Sequence, residues 1–61
     1  MNPNVEVEIY APGTEFGVER VQLVCGSFDI DAGVLVTYTD TGNTQPGFIA
    51  AAGEWRTVRW L

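Results

Sequence analysis

Asp40-Thr41-Gly42 follows the apolar, β-branched run Val34–Tyr38. A carboxylate set in that order suits chemistry in which two acids share one proton and activate water. Such a site needs a second copy of the chain and enough polypeptide for a cleft, and 61 residues leave little for one. The same tripeptide is also hairpin-turn chemistry, with Asp bonding its own backbone and Gly supplying positive φ, and we read it as a turn. Asp29, Asp31 and Asp40 fall at positions 1, 3 and 12 of a calcium-loop count. Val34 stands where that loop needs glycine, and Asp40 replaces the bidentate glutamate, so no metal site is expected.

Asp29 and Asp31 share one face of a strand, but acid–base work has no further group to recruit. The chain holds no histidine, and its three bases are all arginine: Arg20, Arg56 and Arg59. Cys25 lacks a histidine base, and its strand phase points it inward, so it reads as a buried thiol. A single cysteine closes no intramolecular disulfide and builds no zinc cage. The inventory therefore predicts no enzyme, no catalytic residue and no cofactor.

What remains is a set of anchors. Alternation leaves Tyr10, Phe16, Trp55 and Leu61 outside the core, and Arg56 and Arg59 lie on the last strand beside Trp55. Trp, Tyr and Arg are enriched where proteins touch one another. These six residues are the candidate partner-binding set, and the expected partner is another protein.

The acids are Glu6, Glu8, Glu15, Glu19, Asp29, Asp31, Asp40 and Glu54, and the net charge is −5. So few cations disfavour direct binding to nucleic acid or to an anionic membrane. An acidic chain suits solubility or a basic partner surface. A second functional reading follows: Glu6, Glu8, Asp29 and Asp31, outward on their strands, would mimic a row of phosphates and occupy a basic groove. It requires the four acids to cluster.

The first eight residues, Met1 to Glu8, of which Met1–Asn4 read as a polar lead, lack the basic region and apolar stretch of a signal peptide, and no uncharged run approaches the ~20 residues of a membrane span. The expectation is a cytoplasmic protein with a reduced thiol. A chain this short buries only about 60% of its unfolded surface, so homo-oligomerisation or a larger partner is also expected.

The positioning elements are strands. Val5, Val7 and Ile9 alternate with Glu6, Glu8 and Tyr10, and Pro12-Gly13 ends the run. A second strand, Val18–Cys25, changes phase at Gly26-Ser27, where a bend is expected before Phe28 and Ile30. Asp31-Ala32-Gly33 reads as a tight hairpin connection into Val34–Thr39. Asp40–Thr44 is the next turn, Gly47–Ala52 a strand with a close neighbour over its alanines, and Trp55–Leu61 the last strand. The expected core is Val5, Val7, Ile9, Val21, Leu23, Cys25, Phe28, Ile30, Val34, Val36, Tyr38, Phe48, Ala50, Val58 and Trp60. Residues 1–61 are thus predicted to be one all-β domain, a small SH3-like barrel of five to six short antiparallel strands. A flat sheet completed by a second subunit is the alternative.

Phe48–Val58, an apolar strand followed by Gly53-Glu54-Trp55-Arg56-Thr57-Val58, resembles the closing segment of short, uncharacterised phage proteins. The resemblance implies a phage or mobile-element source in a bacterial cell, with the protein in the host cytoplasm or on the virion. It implies no activity and no site residue.

Overall fold

The computed structural model describes residues 2–61; Met1, the head of the polar lead, lies outside the described residues. Six strands follow one another: β1 (Val5–Tyr10), β2 (Val18–Leu23), β3 (Ser27–Asp31), β4 (Val34–Tyr38), β5 (Pro46–Ala50) and β6 (Trp55–Trp60). They form two antiparallel three-stranded sheets, ordered β2-β1-β6 and β3-β4-β5, with no helix among the described residues. No strand-to-strand ladder joins the sheets among the described residues. The core lies between them. Val7 from one sheet meets Leu35 and Ala50 from the other, and Ile9, Leu23, Phe28, Phe48, Trp55 and Val58 pack around that cluster.

The β1–β2 hairpin keeps its register for the whole of both strands, from Val5 opposite Leu23 to Tyr10 opposite Val18. Three residues then carry the chain across to the second sheet. Asn4 braces this crossing. Its side-chain amide donates to the Cys25 carbonyl (2.7 Å) and its side-chain oxygen accepts the Cys25 N–H (2.9 Å), an imitation of a strand ladder where the strand has ended. Gly26 lies against Asp40. A β-carbon on it would sit 2.6 Å from the Asp40 carbonyl carbon, so the expected bend is a place where only glycine fits.

Ala32 and Gly33 both have positive φ, 50° and 79°, the conformation of the two-residue hairpin turn whose twist matches its strands. That turn fixes the phase of β4. Phe28 opposes Thr37 and Ile30 opposes Leu35, so Leu35 and Thr37 face the core, both buried. Val34, Val36 and Tyr38, expected inside, are half-buried on the opposite face. The run Val-Leu-Val-Thr-Tyr-Thr has no polar alternation to mark its buried side. Thr37 tolerates burial because its hydroxyl takes the Phe48 N–H (3.0 Å) and donates to the Phe48 carbonyl (3.2 Å).

Ile30 and Trp60, also expected in the core, are about half exposed, because each lies near the end of an edge strand. Trp60 still covers Phe28, with ring centroids 5.1 Å apart. β5 ends at Ala50, and the next two alanines belong to a turn closed by the Glu54 N–H on the Ala51 carbonyl (3.0 Å). The close neighbour expected over the alanines is present, since a β-carbon on Gly33 would meet that of Ala52 at 3.2 Å.

The last strand departs most from simple alternation. Glu8 faces Thr57, yet Ile9 faces Trp55, so Arg56 is an extra residue on β6. A bulge of this kind shifts the side-chain phase by one. Trp55, expected outside, therefore shares the core side with Val58. Its indole N–H donates to the Gly33 carbonyl (2.8 Å), tying β6 to the β3–β4 turn of the other sheet.

Candidate functional site

The outward face of β2-β1-β6 carries a polar lattice built on β1. Glu6 lies between Gln22 on β2 and Arg59 on β6. Its carboxylate accepts the Gln22 amide (3.3 Å) and two guanidinium contacts from Arg59, Nε at 3.0 Å and Nη2 at 2.8 Å. The Gln22 hydrogen bond first, and Arg59 second, hold the Glu6 carboxyl below its usual range despite its burial. One step along β1, Glu8 lies between Arg20 and Thr57. The Thr57 hydroxyl donates to it and lowers its pKa most, while Arg20 stands off at 3.7 Å.

Beyond that rung a groove of about 470 Å³ opens, lined by Glu8, Phe16, Val18, Arg20 and Arg56. Phe16 comes from the β1–β2 loop, whose turn is closed by the Ala11 N–H on the Gly17 carbonyl (2.9 Å) and by Thr14 on Ala11. Its ring is 79% exposed, which for an apolar side chain is surface without cover. Arg56, projected by the bulge, makes no ion pair among the described residues. Apolar surface and two accessible guanidiniums thus meet in one depression.

All three arginines lie on this face. Glu6 and Glu8 lie among them, in a chain of net charge −5. Asp29 and Asp31 belong to the other sheet, opposite Val36 and Val34. The four acids of the phosphate-mimic reading are therefore divided between two sheets, and both glutamates are already engaged.

Of the six anchors expected from sequence, Phe16 and Arg56 meet in the groove, and Arg59 lies three residues further along the same face. Tyr10 is half exposed opposite Val18, a groove residue. Leu61 is exposed at the far end of β6, where its N–H donates to the Asn4 carbonyl (2.9 Å). Trp55 is half-buried, packed against the core cluster rather than lining the groove. Glu8, Val18 and Arg20 were missed as groove residues. The signal was available, because the hairpin period places Arg20 beside Glu8.

The other chemical candidates have local roles. The Asp40 carboxylate accepts the N–H groups of Thr44 (3.0 Å) and Gln45 (3.1 Å) and the Thr44 hydroxyl, which lowers its pKa most, and so it shapes the β4–β5 turn. Cys25 is buried, and loss of solvent raises its pKa. Among the described residues no three His, Cys, Asp or Glu side chains gather as metal ligands. Compared with known proteins, the chain matches no family, no curated protein and no solved structure.

Proposed function

We propose that this chain is a small acidic β module that binds protein, and that its contact surface is the outward face of β2-β1-β6. The observation that carries the reading is the gathering of every base in an acidic chain on one face, beside an uncovered phenylalanine. Guanidinium forks suit carboxylates, and aromatic anchors supply most of the energy of small interfaces. The chemistry fits a polypeptide segment that alternates carboxylate with apolar side chains.

An SH3-like barrel is the architecture we assign to it. Support comes from the three-residue crossing between β2 and β3, and from the Gly26 N–H on the Tyr38 carbonyl (2.8 Å), which carries the β3–β4 ladder back to that crossing. The phage-like closing segment supports a phage or mobile-element source, with a virion component or host factor as partner. Mimicry of nucleic acid is less well supported, given the division of the four acids.

A six-residue peptide alternating glutamate with phenylalanine tests the reading. It should shift the amide resonances of Glu8, Val18, Arg20 and Arg56 at low salt, and a lysine–phenylalanine peptide should not. Equal responses to both peptides, or none in the groove, would refute it.

A further inference from the structure

The sheet opposite the groove has a complementary outer face. Val34, Val36 and Tyr38 line it along β4, and Ile49 joins them from β5, opposite Val36 and 60% exposed. On the other side of β4, Asp29 and Asp31 flank the same stripe. No base lies on this face, since the three arginines are all on the other sheet. One side of the molecule is thus apolar with flanking carboxylates, and the opposite side is apolar with flanking guanidiniums.

We infer that the groove face of one copy takes the β3-β4-β5 face of a second copy. Phe16 and Val18 would cover Ile49 and Val36, and Arg20 and Arg56 would meet Asp29 and Asp31. The inference rests on the proposed protein-binding role of the groove and names its partner. Charge complementarity selects that partner. Pairing two groove faces would set arginine against arginine, and pairing two β4 faces would leave the arginines unused.

The two faces point away from one another, so one chain cannot satisfy its own contact. The contact is heterologous, and repetition of it builds a row of copies. A face of three five-residue strands offers on the order of 300 Å² per partner, from the strand rise and spacing. Stable complexes use about 800 Å² per partner, so the association is weak, concentration-driven and weakened by salt.

Sedimentation or light scattering from about 10 μM to about 1 mM in roughly 20 mM salt measures it, at an ionic strength where surface charges are poorly screened. The mass should rise at least about twofold above that of the 6.7 kDa chain, and return to it in roughly 0.5 M salt. Arg56→Glu and Ile49→Lys change exposed side chains on opposite faces, and each alone should remain a monomer. Each keeps one native face, so an equal mixture should recover the doubled mass. Arg20→Glu with Asp29→Lys repeats the test should either first variant lose its β circular dichroism. A wild type that stays monomeric, an Arg56→Glu variant that still associates, or a mixture that does not recover overturns the inference. The glutamate–phenylalanine peptide, run beside it, separates the two ideas. Groove shifts without self-association refute only the pairing of copies, and absence of both refutes the binding role as well.

Discussion

Gly26→Ala is the most exposing perturbation of this fold. The glycine has no left-handed φ, so backbone conformation is not its reason for being there. Space is the reason. The added carbon would lie 2.6, 2.8 and 3.0 Å from the carbonyl carbon, oxygen and α-carbon of Asp40, all backbone atoms that cannot rotate aside. Relief needs a separation of nearly 1 Å between the crossing and the β4–β5 turn, and overpacking of this kind costs ~1–3 kcal/mol.

Two hydrogen bonds lie in the same patch, the Gly26 N–H on Tyr38 and the Ser27 hydroxyl on the Asp40 carbonyl, both 2.8 Å. Each contributes ~1 kcal/mol if lost, so with the lower end of the packing cost the total is at least about 3 kcal/mol. A chain of 61 residues has about 3–9 kcal/mol of stability. The substitution should lower the thermal midpoint by about 10–20 °C. Urea unfolding followed by the fluorescence of Trp55 and Trp60 gives the free energy directly. Gly53→Ala is the control, with φ of 83° and nothing within 4 Å, so its cost is conformational alone at ~1 kcal/mol. A Gly26→Ala variant within ~0.5 kcal/mol of wild type would refute the close approach.

Three further outcomes are expected. Leu35→Ala empties the centre of the core, where the side chain is fully covered, and should cost about 3–5 kcal/mol, so the variant should be largely unfolded by circular dichroism at 37 °C. Ala32→Asn should stabilise by ~1 kcal/mol in the same urea assay, because alanine is strained at a φ of 50° and Asn-Gly is the preferred pair for this turn. Glu6, Glu8 and Asp40 titrate below their usual range in the fold, so their contribution is complete above the ordinary carboxylate range and fades as pH falls through the folded values. The thermal midpoint should therefore decline below about pH 4, and a midpoint flat down to pH ~2.5 would contradict these hydrogen bonds.

The strand plan was legible because its punctuation is local. Pro12-Gly13, Gly26, Ala32-Gly33, Asp40–Thr44 and Gly53 all mark turns or breaks that the structure contains. Facing was less legible. β1 alternates Val with Glu, so its buried side is written in polarity. β4 does not, and its side is set by pairing with Phe28 and Ile30 through a two-residue turn. Cross-strand partners share a face, so the inward phase of β3 already implied Leu35 and Thr37. The bulge at Arg56 had no such local mark, and it set Trp55 against the core cluster, half-buried. Phe16 and Arg56 were identifiable as uncovered anchors. Their meeting with Val18 and Arg20 depends on how the β1–β2 loop returns over its own hairpin, a tertiary fact.

The extra residue in β6 lets six letters of sequence answer to two masters. Trp55 and Val58 serve the interior, while Arg56, Thr57 and Arg59 face outward, an interleaving that strict alternation cannot supply. The outward triplet is thereby free to drift or be redesigned without disturbing the indole's reach to Gly33. Removing Arg56, by contrast, would restore plain alternation, leave the indole opposite Ile9 and take one guanidinium out of the groove.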